Sequence, residues 1–176
     1  MSWTDFYRRR DTLEAALRQA GNDPERPLSL AEIPGAAESF SSEEDLLLAL
    51  HHKWTQLLGG YLRAELADPE DAAAGQVLDQ VDAVTRAWKR ATSEHATLRA
   101  VLDANLDRHP ALTPLHEGEL RMLAITAGLA EYGEPADEIT KVGYTFDALL
   151  RNGPDARPAR RRSPMGHLLR LLAPSA

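Results

Sequence analysis

The 176-residue chain contains no cysteine, and only 6% of its residues are aromatic. The absence of cysteine excludes disulfide bonds and thiolate metal sites, which fits a reducing compartment. No apolar run approaches the roughly 20 residues of a membrane-spanning helix, and the residues after Met1 lack the basic-then-apolar order of a signal peptide. We therefore expect a cytoplasmic protein without a membrane partner.

Sequence patterns that carry chemistry are missing as well. The chain has no glycine-rich phosphate loop and no serine in a nucleophile-elbow context. Glu-x-x-His and His-x-x-x-Glu pairs, which di-iron helical bundles require, do not occur. The adjacent His51 and His52 would point about 100° apart on a helix, so we expect both on a helix surface rather than around a metal ion. These absences predict that the protein is not an enzyme and holds no metal or cofactor.

Charge is distributed unevenly along the chain. The formal net charge of −7 argues against extensive nucleic-acid binding, because phosphate neutralisation usually leaves a basic footprint on the protein. Positive charge collects at Arg8–Arg10 and again at 157–162, whereas the middle of the chain is acidic. Two interpretations of Arg8–Arg10 stay open, namely a solvated helix start and a phosphate contact.

Alanine and leucine dominate the composition, and apolar residues recur at helical spacing along most of the chain, which predicts an all-α fold. The pattern predicts a first helix over 11–19. A short second helix is expected over 29–33, because Ser29 and Glu32 have the spacing of a capping box. Pro34-Gly35 would end that helix almost at once.

A long helix is predicted from Ser42 to about Ala67, with Ser41 and Glu44 as a second capping box. The glycine pair Gly59-Gly60 lies inside this helix and predicts a bend or a close contact with another helix.

Three segments of the N-terminal third match one known pattern. Arg9 to Leu17 reads RRDTLEAAL, Leu30 to Gly35 reads LAEIPG, and Ser39 to Leu50 reads SFSSEEDLLLAL. These segments resemble the DNA-reading head of the TetR/AcrR family of bacterial transcriptional regulators. The resemblance implies a small three-helix head on a C-terminal antiparallel helical bundle, which binds a small molecule and forms a homodimer.

The resemblance also implies which residues of the head would face DNA. These are the basic residues at the first helix, the start of the second helix and the recognition helix, namely Arg8, Arg9, Arg10, Ser29, Ala37 and Ser39. The recognition helix is shorter than that of the family by about five residues, since only 36–39 precede Phe40. Four residues make barely one helical turn.

Further helices are predicted in the C-terminal two thirds of the chain. One apolar stripe with spacings of four and three runs through Val77, Val81, Val84, Trp88, Ala91, His95, Leu98 and Leu102. We expect a break near Thr92-Ser93, where a hydroxyl could cap a new start, and an end at His109-Pro110. The next helix would begin at Thr113-Pro114 with Thr113 as its N-cap, and Glu134-Pro135 would open the last.

Two functional surfaces are expected on these helices. A small apolar ligand would bind near Trp54, Trp88, His95 and Met122, although a histidine in such a stripe is more often a satisfied core or boundary residue than a ligand contact or a metal ligand. By the resemblance, residues 114–151 would form a homodimer interface through the two helices 114–130 and 136–151. Small residues that would permit close approach there are Ala124, Ala127, Gly128 and Gly143. The alternative is that the same faces pack within one chain.

The tail divides into two parts. Residues 154–162 are rich in proline and arginine and predict an extended basic linker. Residues 164–172 then form a two-turn amphipathic pattern, and two isolated turns are not stable in water. This segment therefore needs a partner, which would be its own body or a dimer mate, another protein, or an acidic membrane surface.

Taken together, the sequence predicts a head over 1–50, a ligand-binding and dimerising body over 51–153, and a tail over 154–176. Two functions stay open. The first is a TetR-like transcriptional regulator that binds DNA and a small apolar ligand. The second is a ligand-binding or protein-interaction module, derived from the same fold, that no longer reads DNA.

Overall fold

The computed structural model describes residues 3–21, 23–66 and 76–153, with the side chains of 76–79 left out. Within these residues the chain forms seven α-helices and one turn of 3₁₀ helix, Pro110–Leu112, and no strand. The helices are α1 Trp3–Ala20, α2 Ala36–Ser39, α3 Glu43–Leu66, α4 Gln76–Glu94, α5 Ala96–Asn105, α6 Thr113–Thr126 and α7 Ala136–Asn152. The all-α prediction is confirmed. No described helix has the length and apolar character needed to cross a bilayer, and the predicted tail over 154–176 lies outside the described residues.

Helix α1 begins at Trp3, eight residues before the predicted start at Asp11. The aromatic side chains of the added turns, Trp3, Phe6 and Tyr7, have helical spacing but are exposed. The buried face begins at Thr12, whose hydroxyl donates to the backbone oxygen of Arg8 at 2.9 Å.

The second helix predicted over 29–33 does not form, and this segment is a series of turns. The Glu32 carboxylate does not cap Ser29. It accepts hydrogen bonds from Arg26 at 2.8 and 2.9 Å and from Gln19 at 3.1 Å. Tertiary contacts therefore outcompete the local capping box, and a single turn followed by Pro34 has too few backbone hydrogen bonds to persist as a helix.

Helix α3 has nearly the predicted bounds, but its cap lies one residue later than expected. The Ser42 hydroxyl accepts from the Asp45 backbone N–H at 3.1 Å, and the Asp45 carboxylate accepts from the Ser41 N–H at 3.1 Å. Gly59 and Gly60 do not mark a close helix contact, because a Cβ at Gly60 would meet nothing within 4 Å and one at Gly59 would meet only a side-chain atom of Arg63. The prediction of a close contact was therefore wrong among the described residues, and the predicted bend stays a prediction.

The long apolar stripe is divided into α4 and α5 at His95, close to the predicted break. His95 precedes α5 as its N-cap with φ −125° and ψ 41°, and no side chain caps this start. The predicted hydroxyl cap at Thr92-Ser93 is therefore absent. Helix α4 runs antiparallel to α3, since Arg86 pairs with Glu65 and Glu94 accepts from Tyr61. Helix α5 ends at Asn105, before the predicted His109-Pro110 stop.

Helices α6 and α7 form an antiparallel hairpin. Helix α6 includes Thr113 as its first residue, so Leu112 and not Thr113 holds the cap position. The helix ends in a left-handed Gly128, φ +69°, with Leu129 N–H bonded to Ala124 O and Gly128 N–H bonded to Ile125 O. This is the Schellman pattern that favours glycine.

Gly143 fixes how closely the two helices of the hairpin approach. A Cβ built there would lie 2.6 Å from the backbone oxygen of Leu120. Ala124 and Ala127 are fully buried in the same chain. The small residues of these helices thus serve packing inside one chain.

One main core joins the two predicted domains. It contains Ala16 from α1, Leu46, Leu50 and Trp54 from α3, and Leu150 from α7, all at most 2% exposed. The predicted boundary after residue 50 falls inside α3, and the buried residues continue across it. The head and the body accordingly share a packed interior along α3.

Candidate functional site

Arg9 is built into the fold of the head. Its guanidinium donates to the backbone oxygen of Ser39 at 2.9 Å, lies 4.2 Å from the centroid of the Phe40 ring, and approaches the Asp45 carboxylate to 3.6 Å. These contacts connect α1 to the end of α2 and the start of α3. The charge of Arg9 is therefore already paired.

Arg8 and Arg10 are exposed, and each has an acidic neighbour. Arg8 lies 3.6 Å from the Asp5 carboxylate, and Arg10 lies 3.0 Å from that of Asp11. Residues 1–50 carry twice as many acidic as basic side chains. A DNA phosphate at this surface would compete with carboxylates for both guanidinium groups, which weakens the electrostatic basis of binding.

The other three residues of the predicted DNA surface do not share a helix face. Ala37 is exposed on α2, while Ser39 is half-buried with its Oγ 3.4 Å from Thr12 Oγ1. Ser29 lies in the preceding turns, where its backbone oxygen accepts from Glu32 N–H. Helix α2 has four residues, whereas reading the major groove requires several side chains projected along one helix.

The residues predicted to surround a ligand lie in three different environments. Trp54 is fully buried and Trp88 is 5% exposed, and both belong to the main core. His95 is at the α4–α5 break, where its ring packs on Tyr61 at a centroid distance of 6.0 Å. Met122 alone of the four lines the groove described next.

A groove of about 530 Å³ opens between α3 and α6. Its volume lies within the usual range of small-molecule sites. We call it the α3–α6 groove and define it by its lining residues, which are Leu48, His51, His52 and Thr55 from α3 and Pro114, Leu115, Gly118, Glu119 and Met122 from α6.

Two of these lining residues are buried polar groups. His51 is 6% exposed and Glu119 is 4% exposed. His51 Nε2 and Glu119 Oε2 lie 3.8 Å apart, and neither atom has a hydrogen-bond partner among the described residues. Buried polar atoms are nearly always hydrogen-bonded in folded proteins, so this pair is the clearest candidate for a ligand-binding element.

No family model, curated protein or solved structure matches the chain. The assignment of a site therefore depends on the geometry of the chain itself.

A second, much smaller cavity adjoins His51 and Glu119 and faces the core. Its volume is about 10 Å³, which is room for one water molecule. Besides that pair, it is lined by Arg99, Leu102, Asp103, Leu106, Leu112 and His116. The His51–Glu119 pair thus separates this cavity from the α3–α6 groove.

Burial keeps both histidines of this region neutral near pH 7. It lowers the pKa of His51 below 6.5, with the charges of Arg99, His116 and His52 acting in the same direction and Glu119 opposing them. Burial likewise lowers the pKa of His116, helped by Arg99 and Arg151 and opposed by Glu119 and Asp147. The prediction that His51 lies on a helix surface was wrong, because α5, the 3₁₀ turn and Glu119 of α6 cover that part of α3, whereas His52 is exposed as expected.

Five charged side chains of alternating sign run from the groove through the body, and they connect α6, α5 and α7. Glu119 accepts from Arg99 at 2.6 Å, and Arg99 pairs with Asp103 at 2.9 Å. Asp103 also pairs with Arg151 at 2.9 Å, and Arg151 pairs with Asp147 at 2.6 Å. Burial alone would raise the pKa of Asp103, but hydrogen bonds and charge from Arg151 and Arg99 outweigh it and lower the value.

Sequence analysis missed the residues of this network and the role of His51. One signal was available: Glu119 is a charged residue in a helix that the apolar pattern predicts to be buried on most sides. In the part of the chain that the structure describes, no three acidic or histidine side chains are placed to hold a metal ion.

Proposed function

We propose that the protein is a helical ligand-binding module whose site is the α3–α6 groove, and that its head does not read DNA through a recognition helix. The observation that carries this proposal is the His51–Glu119 pair, with two buried and unpartnered polar atoms 3.8 Å apart beside an open groove. A small molecule that is apolar in its body and polar at one end fits this arrangement.

Ligand binding would remove an energetic penalty at the His51–Glu119 pair. A buried acceptor without a partner costs about 1–3 kcal/mol, and more when it is charged. A ligand that hydrogen-bonds to the pair removes this penalty, while Leu48, Leu115 and Met122 offer apolar surface to its body. Orientation by a few polar groups inside an apolar pocket is the usual design of small-molecule sites.

A TetR-like regulator is the second candidate, and the continuity of α3 favours it. This helix begins at Glu43 in the head and carries His51 about two turns later into the groove. Glu43 also accepts a hydrogen bond from the Leu28 backbone N–H at 3.1 Å, which ties the turns of the head to α3. A ligand that shifts α3 would therefore shift the head as well.

A homodimer through 114–151 remains part of either proposal. The hairpin exposes apolar side chains, with Leu149 62% exposed, Tyr144 47% exposed and Leu115 38% exposed. Contiguous exposed apolar side chains mark surfaces that associate, and we propose that Leu149 and Tyr144 belong to such a surface.

Titration with Nile red, a neutral apolar dye whose emission shifts to the blue in an apolar site, tests the proposal. Saturable binding is expected for the wild-type chain. The variant Gly118→Leu fills the groove, and it should fold because a Cβ there meets only a side-chain atom of Arg121 at 3.9 Å. Its affinity for the dye should fall about tenfold or more, while Gly60→Leu, on the open side of α3, should bind as the wild type does. Equal affinity in all three proteins, or no binding by the wild type, would refute the site.

A further inference from the structure

We propose that the α3–α6 groove binds a primary ammonium group carried on an apolar body, with the nitrogen held between His51 Nε2 and Glu119 Oε2. This inference rests on the proposed function and goes further, since it names the chemical class of the ligand. Three features of the structure support it: the hydrogen-bonding character of the pair, the charge around the pair, and the walls of the groove.

The first feature is that both unpartnered atoms are acceptors. The Thr55 hydroxyl donates to the backbone oxygen of His51 at 3.1 Å, so its proton is already used. Thr55 Oγ1 also lies 3.4 Å from His51 Nδ1, and we infer the tautomer in which it accepts from Nδ1–H. A neutral imidazole carries one N–H, which leaves Nε2 as an acceptor beside the carboxylate oxygen of Glu119.

Two acceptors 3.8 Å apart call for a group with at least two hydrogens to donate. An ammonium has three and a water molecule has two, whereas a hydroxyl has one and a carboxylate has none. An atom at the usual hydrogen-bond length of about 2.9 Å can reach both acceptors from one position. The pair therefore favours an amine over an alcohol of the same shape. A water molecule would compete with the amine for the two acceptors.

The second feature is the sign of the local charge. Arg99 and Arg151 face the three carboxylates of Glu119, Asp103 and Asp147. Because His51 and His116 are neutral near pH 7, this network carries one negative charge in excess. The guanidinium of Arg99 is already bonded to Glu119 Oε1 and to Asp103, so it does not pair with Glu119 Oε2. A cation at Glu119 Oε2 balances the network, and an anion would add to its excess.

The third feature is the composition of the walls. Leu48, Leu115, Pro114 and Met122 supply apolar surface, and Gly118 leaves the middle of the α6 wall open. None of the lining residues is a lysine or arginine, so no wall residue repels an ammonium. An alkyl or aromatic amine would bury its body against these walls while its head group reaches the pair.

Displacement of Nile red by three probes with the same alkyl chain tests the proposal at pH 7.5. Octylammonium should displace the dye at a concentration about tenfold lower than 1-octanol, and octanoate should be the weakest of the three. If 1-octanol or octanoate displaces the dye as well as octylammonium, or if none of the three does, the ammonium proposal is overturned while the groove stands as a dye site. If Nile red itself does not bind, the proposed function fails first.

Two variants of the same helix separate specific recognition from general attraction to an acidic protein. Glu119→Gln should reduce the preference for octylammonium over 1-octanol to within about threefold, because the charged acceptor is lost. Glu117→Gln removes one carboxylate two residues away, which pairs with Arg121 at 3.7 Å outside the groove, and should leave the preference intact. Equal effects of the two variants would overturn the proposal.

Glu119→Gln leaves Arg99 without its buried partner, so its fold is checked by thermal melting. If it does not fold, the double variant Arg99→Met/Glu119→Leu takes its place, because it removes both charges and leaves an apolar floor. That variant should bind 1-octanol at least as well as octylammonium. A retained preference for the amine in the double variant would contradict the assignment to Glu119.

Discussion

Arg99 Nη1 donates to Glu119 Oε1 at 2.6 Å and joins α5 to α6 directly behind the groove. The side chains are only 5% and 2% exposed. The guanidinium also lies 5.3 Å from the centroid of the Trp54 ring, so it connects the charged network to the core of α3. The position of Glu119, and with it the geometry of the candidate site, is set by this ion pair.

Removing one member of this ion pair should lower the free energy of unfolding strongly, whereas replacing both members with apolar residues should not. Arg99→Met leaves the buried Glu119 carboxylate without its partner, while Asp103 keeps Arg151, and removing one member of a buried pair typically costs about 3–5 kcal/mol. Arg99→Met/Glu119→Leu should recover most of that loss. Urea unfolding monitored by circular dichroism measures both. A double variant no more stable than Arg99→Met would show that the pair is not energetically coupled.

The stability of the chain should fall as the pH drops below about 6.5. Burial holds the pKa of His51 and of His116 below 6.5 in the folded chain, so the unfolded chain binds more protons in this range. The free energy of unfolding should therefore decrease with falling pH, by up to about 1.4 kcal/mol per pH unit for each histidine. The loss ends once the pH is below the folded pKa values.

Adjacent histidines provide the control for this pH dependence. His51→Gln should reduce the slope of the unfolding free energy against pH between pH 7.5 and 5.5 by the contribution of one histidine, because the buried imidazole is gone. His52→Gln should change the profile much less, since His52 is exposed and has the smallest of the effects on the pKa of His51. Urea midpoints across this range give the slopes, and parallel profiles for the wild type and His51→Gln would rule out the buried imidazole as their source.

Gly143→Ala should destabilise the hairpin of α6 and α7. The new methyl would sit 2.6 Å from the backbone oxygen of Leu120, so the helices must separate, at a typical cost of about 1–3 kcal/mol. Gly60→Ala is the matched control, because nothing lies within 4 Å of the added atom and alanine gains about 1 kcal/mol in helix propensity. Thermal melts should shift in opposite directions, and a stabilising Gly143→Ala would contradict the close approach.

DNA selection should return no palindromic site. The purified chain, incubated with a random DNA pool at two salt concentrations, is expected to enrich nothing, since α2 has four residues and the arginines near it are paired with carboxylates. Light scattering on the same sample establishes whether the chain is a dimer. Enrichment of a palindrome that weakens with salt would instead establish the TetR-like regulator.

Local signals in the sequence were sufficient for much of the fold. Proline placed the starts of α6 and α7 to within about one residue. The apolar period predicted α3, and the break predicted near Thr92-Ser93 lies close to the observed one at His95. The helix predicted over 29–33 does not form because Glu32 bonds to Gln19 and Arg26 instead. The bond to Gln19 depends on how α1 packs against this segment. Capping patterns do not encode such competition.

The candidate site depends on contacts that no local pattern contains. His51 is buried and His52 exposed because α5, the 3₁₀ turn and Glu119 of α6 cover one side of α3, and the partners Arg99 and Glu119 are 20 residues apart. Of the residues proposed from the sequence, Met122 reaches the groove, while Trp54 and Trp88 fill the core. The identity of the elements that pack against His51 was the missing information.

The most direct test of the central claim is to locate a bound small molecule. Backbone amide shifts of the ¹⁵N-labelled chain can be followed during titration with 2-naphthol, a neutral aromatic probe with one hydroxyl. We expect saturable shifts that cluster at 48–55 and 114–122, and their loss in Gly118→Leu. Shifts that cluster instead at the exposed aromatic residues of 3–7, or that persist in Gly118→Leu, would contradict the assignment of the α3–α6 groove as the ligand site.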